Sequence, residues 1–181
     1  KKELEELSSW NENAQELINS IKILEKDVFA RATKISEKRK SFASKMSSQI
    51  EQVLSNLGMA GSKFSVSITQ KESSDFVQKC GPLGMDNVEF LICANKGGEL
   101  KPLAKIASGG EISRVMLAMK TILAESDTVD TLIFDEIDTG IGGEVSVSVG
   151  SHIKKLSQKK QILCITHLAS IAVYADTQIR I

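Results

Sequence analysis

The stretch Leu132-Ile133-Phe134-Asp135-Glu136 carries the strongest chemical signal in the chain. A short apolar strand that ends in two acids sets both carboxylates at the carboxyl edge of a sheet, where open α/β folds bind their ligands. Asp135 can hold Mg2+ through its water shell, and Glu136 can position a nucleophilic water. The same pair can also close a strand end as solvated acids. Ser108-Gly109-Gly110, just before a helix that begins near Glu111, is a second candidate. Two glycines let backbone N–H groups approach an anion, the serine hydroxyl adds a donor, and the helix N-terminus brings its positive dipole end, so phosphate is the natural guest. Read blandly, it is an ordinary loop with a serine N-cap. His167 follows the apolar run Ile162 to Thr166 and therefore falls at a carboxyl strand edge too, either against a phosphate oxygen or as a satisfied, partly buried histidine. His152 reads as surface beside Lys154 and Lys155, and no Ser/His/Asp spacing or metal cluster emerges.

The elements that must position these residues are legible from periodicity. Residues 1–57 contain neither glycine nor proline, and a heptad started at Leu4 fills its a and d positions with Leu7, Ala14, Ile18, Ile21, Val28, Ala32, Ile35, Phe42, Met46 and Val53. Asn11, Glu25, Arg39, Gln49 and Asn56 interrupt the stripe. Such a helix would reach on the order of 85 Å, far more than a compact domain needs, so it must find a partner helix. Gly58 and Gly61 end it. Lys63 to Gln70 and Val88 to Asn95 then alternate as half-buried strands and read as a hairpin or meander. Beyond Pro102 the spacing predicts helices over 112–123, 143–156 and about 168–174, and strands over 131–134, 161–166 and 177–181. Short apolar strands alternating with helices point to βαβ units and a mostly parallel sheet. The expected organisation is an arm over 1–57, a β-meander over 58–100 and an α/β lobe over 101–181.

Composition excludes some classes. The 181 residues hold 23 Lys+Arg against 23 Asp+Glu, so the chain is no wholesale polycation and any nucleic-acid contact must be local. Hydrophobic residues make up 41% without a run long enough to span a membrane. Cys80, Cys93 and Cys164 are too few and too scattered for a zinc site or disulfide framework, which favours a reducing compartment. Lys1 begins inside a helical pattern without an initiator Met and Ile181 ends inside an apolar run, so the chain reads as a piece of a longer protein.

The order of the motifs is more specific than any one of them. A Ser-Gly-Gly before a helix, an apolar strand ending in Asp-Glu, an Asp three residues beyond Asp135, and a His ending the next apolar strand together resemble the C-terminal lobe of ATP-binding-cassette (ABC) P-loop ATPase heads. The preceding arm places the resemblance in their SMC-like branch. Residues 107–111 are similar to the signature motif, Leu132 to Glu136 to the Walker B strand, Asp138 to the D-loop aspartate and His167 to the switch histidine. More narrowly, residues 101–114, 134–143 and 164–167 resemble the RecN family of bacterial DNA repair proteins. Ala107 replaces the leucine of transporter signatures, as it does in RecN-like sequences, whereas Ala169-Ser170 replaces the family's more usual Pro-Gln and should alter only a local turn.

The resemblance implies an ATP- and Mg2+-dependent, cytoplasmic, nucleoid-associated protein of DNA double-strand break repair. Ser108, Gly109 and Gly110 would bind the γ-phosphate of ATP held by a second head, closing a head-to-tail homodimer. Asp135 would hold the water shell of Mg2+, Glu136 would polarise the attacking water, His167 would contact the γ-phosphate, and Asp138 would communicate across the dimer. No Gly-x-x-x-x-Gly-Lys-[Ser/Thr] loop is present, so this chain alone should not hydrolyse ATP. The resemblance assigns that loop to an N-terminal Walker A lobe elsewhere in the same protein, whose absence should leave apolar surface exposed. DNA is expected as a partner by resemblance, and Arg31, Lys34, Lys38, Arg39, Lys40 and Lys45 form a basic stretch that can meet phosphates or merely be a solvated coiled-coil face. Two other readings stand beside this one: an ATP-independent coiled-coil adaptor with a degenerate lobe, and the head of a different SMC-like chromosome protein.

Overall fold

A computed structural model describes residues 2–106 and 108–180, with side chains from residue 10 onward apart from 11 and 12. Ala107, the first residue of the signature-like motif, lies outside the described residues, as do Ile181 and the side chains of Leu4, Leu7 and Asn11. In chain order the elements are α1 (Lys2–Asn56), β1 (Lys63–Gln70), α2 (Phe76–Lys79), β2 (Asp86–Cys93) and β3 (Lys101–Pro102). A 3-10 turn (Leu103–Lys105), α3 (Gly109–Leu123), β4 (Thr131–Phe134), α4 (Gly143–Ser157), β5 (Gln161–Cys164) and α5 (Ala169–Ala172) follow. β1, β2 and β3 form one sheet in that order, with β2 and β3 antiparallel, while β4 and β5 pair in parallel with Ile133 opposite Leu163.

The chain divides into two compact units, Lys1–Phe42 with Ile68–Val88, and Ala43–Ser67 with Glu89–Ile181. In the first, Ala32 and Ser36 are buried one turn apart on α1. The Ser36 hydroxyl donates to Asp86 Oδ1 at 2.7 Å, and Arg39 donates to Asp86 Oδ2 at 3.0 Å and to the Leu83 carbonyl at 2.9 Å. Arg31 pairs with Asp27 one turn earlier at 2.9 Å. Arg39 is thus held by the distant Asp86, whereas Arg31, beside Asp27, stays exposed with Lys34, Lys38 and Lys40, as does Lys45 in the second unit. The a/d residues Ile18, Ile21, Val28 and Ile35 are all 40% or more exposed, an apolar stripe without a partner among the described residues.

In the second unit, α1 leaves the heptad spacing after Met46 and buries Ile50, Leu54 and Leu57 with it, whereas the a/d residue Asn56 faces solvent. An i, i+4 series is the stripe a straight helix presents to a globular core rather than to one supercoiled partner. Those side chains join Phe64, Ile92, Val115, Leu117, Leu132, Phe134, Val149 and Ile153 in one apolar cluster. At roughly 1.5–3 kcal/mol for each fully buried aliphatic side chain, this anchors the end of α1 firmly. The expected strand over 177–181 is absent from its described residues: Thr177–Arg180 is irregular and exposed, and Gln178 donates to the Ala172 carbonyl at 2.9 Å. Among the described residues its alternating pattern has neither a neighbouring strand to pair with nor a face to bury Ile179, which is 85% exposed.

Candidate functional site

β4 and β5 run in parallel, so the segments after Phe134 and Cys164 leave the same edge of the sheet. Asp135-Glu136 and Thr166-His167 therefore emerge side by side, as the apolar runs before them require. The Asp135 carboxylate accepts the Glu136 N–H at 2.8 Å through Oδ1, which leaves its other oxygen and an exposed position for solvent or a cation. Glu136 is the single non-glycine residue with positive φ (55°) among those described. For an L residue this backbone costs about 1–2 kcal/mol, and it is held here by the Asp135 cap and by a turn in which Thr139 N–H donates to Glu136 O at 3.0 Å.

Ser108 caps α3, its hydroxyl accepting from Glu111 N–H at 3.4 Å. The two glycines after it are packed against the Asp-Glu loop. A Cβ on Gly109 would stand 1.8 Å from Glu136 Oε2, and one on Gly110 would stand 3.0 Å from Glu136 O, Thr139 O and Thr139 Cβ. Glycine is thus required at Gly110 for close approach, since its neighbours are backbone and cannot swing away. Ser113, one turn further along α3, donates to the Asp135 carbonyl at 2.7 Å and ties the helix to the strand end.

Asp138 is buried, and one of its oxygens takes the Thr166 hydroxyl at 2.5 Å, the His167 N–H at 2.9 Å, and lies 3.0 Å from His167 Nδ1. Burial raises its proton affinity, but the Thr166 and His167 donors outweigh this and hold the carboxyl below the ordinary aspartate range. The His167 ring is 77% exposed, with Nδ1 toward Asp138 and the Nε2 edge left free to meet a ligand. Burial, with Asp138 and Asp135 nearby, pushes the Cys164 thiol up to about 11, so it is no nucleophile at neutral pH.

The structure therefore brings Ser108, Gly109, Gly110, Asp135, Glu136, Asp138 and His167 to one edge of one lobe. No group of three or more His, Cys, Asp or Glu residues that could hold a metal occurs among the described residues. Asp135 fits as one hard oxygen ligand whose remaining partners must be water, phosphate oxygens and groups from elsewhere. Arg114, Ser113, Thr139 and Thr166 also belong to the arrangement. Only the neighbouring motifs marked their positions in the sequence, since each acts through contacts with residues far along the chain.

The curated relatives bear on which proteins the chain resembles. The chain is 47% identical over 177 residues, 98% of its length, to "DNA repair protein RecN" of Treponema pallidum. It is 37% identical over 188 residues, 99% of its length, to RecN of Bacillus subtilis. By sequence, the chain is similar to RecN proteins over nearly its whole length. It spans about a third of their length, 31% and 33% respectively, and corresponds to their C-terminal part. The matches run through the arm as well as the lobe, which disfavours the head of another SMC-like protein. No family model matches. Among solved structures, an Smc head domain with coiled coil and joint from Pyrococcus yayanosii aligns with a TM-score of 0.51 at 22% identity, over 95% of this chain and 29% of that one. An Smc head bound to a winged-helix domain of ScpA aligns with a TM-score of 0.51 at 20% identity, over 85% and 44%. At these identities the likeness is one of fold, and the fold is that of an SMC-type head lobe with its arm.

Proposed function

We propose that this chain is the arm and the C-terminal head lobe of a larger RecN-type ATPase that acts in DNA double-strand break repair, closing on ATP as a head-to-tail dimer and reopening on hydrolysis. The observation that carries the reading is the convergence on one lobe edge of the Ser108–Gly110 turn, the Asp135-Glu136 strand end and the Asp138–His167 pair. An adaptor that had lost its chemistry would have no need to hold a strained glutamate beside an anion-binding turn.

Phosphoryl transfer demands positioning and charge neutralisation more than covalent chemistry from the protein, and the residues divide accordingly. Ser108, half-buried, and the α3 N-terminus offer a phosphate seat for a nucleotide held by a second head. Asp135 would hold Mg2+ through water, and that ion when bound supplies charge neutralisation on the phosphate oxygens. Glu136 accepts the proton of an attacking water. His167 reaches a phosphate oxygen through Nε2 while Asp138 fixes its ring.

The lobe holding the phosphate-cradling loop and its lysine is proposed to belong to the rest of the parent protein. The support is physical: parallel strands are normally covered on both faces, yet Ile133, Leu163 and Ile165 are 68%, 48% and 60% exposed on one face of β4 and β5. For DNA, the exposed cations of the basic stretch are Arg31, Lys34, Lys38, Lys40 and Lys45, enough for a few phosphate contacts and without an aromatic to stack on bases. No helix of the described residues is long and apolar enough to cross a membrane.

The test is ATP turnover by the complete protein and by its Glu136→Gln variant. The variant is expected to lose at least about a hundredfold in kcat while still associating in the presence of ATP. Unchanged turnover would remove Glu136 from the chemistry, and a complete protein that binds ATP without hydrolysing it would favour the adaptor.

A further inference from the structure

Arg114 lies on α3 six residues beyond Ser108 and is only 6% exposed. Its Nη1 donates to the Thr139 carbonyl at 2.9 Å and the Ile137 carbonyl at 3.3 Å. Those two carbonyls bracket Asp138, whose own carboxylate holds Thr166 and the His167 N–H. One buried side chain thus bridges the helix that starts at the phosphate-binding turn and the loop that positions the histidine. Burying a guanidinium is expensive, and an apolar side chain of similar volume would pack here at less cost. Arg114 Nε has no partner, so the side chain is not optimised for stability. What arginine supplies that an apolar residue cannot is a rigid donor that grips two carbonyls of the same loop.

We propose that Arg114 is a positioning residue that couples the Ser108–Gly110 turn to His167, through the Ile137 and Thr139 carbonyls and the carboxylate of Asp138. A shift of α3 when an anion docks at its N-terminus is carried to the loop by Arg114. The loop moves Asp138, and Asp138 moves the histidine. The catalytic consequence rests on the ATPase reading above, whereas the mechanical link does not.

The test uses the complete protein with Arg114→Lys and Arg114→Met, read first by hydrogen exchange, which needs no turnover. Peptides covering residues 135–140 and 164–170 are expected to exchange about tenfold faster in both variants, while the peptide covering 145–156 keeps its wild-type rate. In ATP kinetics Arg114→Lys should lower kcat about tenfold with KM within about twofold, and should add nothing to the loss caused by His167→Ala. Should Arg114→Met fail to fold, Arg114→Lys keeps the charge and decides alone. Wild-type exchange at 164–170 in the lysine variant, or kinetic losses that multiply with His167→Ala, would overturn the proposal. If the wild-type protein does not hydrolyse ATP, the ATPase reading fails and the exchange result still decides the link.

Discussion

A methyl group has no room at Gly110, because the atoms it would meet are two backbone carbonyls and the Cβ of Thr139. At Gly109 the obstacle is the far end of the flexible Glu136 side chain, which can turn aside. Gly110→Ala should therefore cost about 1–3 kcal/mol in urea denaturation and disturb the loop that carries Asp138. Gly109→Ala should cost less stability and act mainly by displacing the Glu136 carboxylate. Equal stability losses would mean that the turn does not pack as tightly as described. At this scale the sequence was readable wherever an apolar run ended in a polar residue: Asp135, Glu136 and His167 fall at one sheet edge because Phe134 and Cys164 close the paired parallel strands β4 and β5. Arg114 and Thr166 were not readable, since their roles depend on partners 23 to 28 residues away to which no local pattern points.

Among the elements, the end of α1 is the best specified. Leu57 N–H and Met59 N–H turn back to the carbonyl of Leu54, each at 3.0 Å, while Gly58 takes φ of 78° and packs under Val145. That is a glycine C-cap, and the glycine at the end of a glycine-free run marked it in advance. A Cβ at Gly58 would combine left-handed strain with a 2.6 Å approach to Val145 Cγ1. Gly58→Ala is expected to destabilise the second unit by about 1–3 kcal/mol, measured as a lowered urea midpoint at unchanged slope. An unchanged midpoint would show that the cap contributes nothing. The boundaries of β1 and β4 could be read from alternation and apolar runs because both are flanked by turn residues. The heptad could not foretell where α1 changes from coiled-coil stripe to core helix, because Met46 satisfies both patterns and only the surrounding lobe selects Ile50 and Leu54. The strand expected over 177–181 failed for the opposite reason: a strand is a property of a pair, and among the described residues no neighbour pairs with it.

For the whole molecule, Ile133, Leu163 and Ile165 leave one face of β4 and β5 bare, the face proposed above to receive the lobe that carries the phosphate-cradling loop. Ile133→Lys together with Ile165→Lys should leave the described lobe folded but abolish its association with the remainder of the parent protein, as measured by co-purification of separately produced parts. Retained association would place the docking surface elsewhere. The claim most exposed to test is that Ser108 and Glu136 serve one nucleotide from two different heads. Complete proteins carrying Ser108→Arg or Glu136→Gln, each inactive by itself, are mixed in equal amounts under conditions where subunits exchange, and ATP turnover is measured. Each mixed dimer then contains one intact composite site, so activity is expected to return to roughly a quarter of wild type. No recovery from a mixture shown to contain mixed dimers would contradict a site shared between heads.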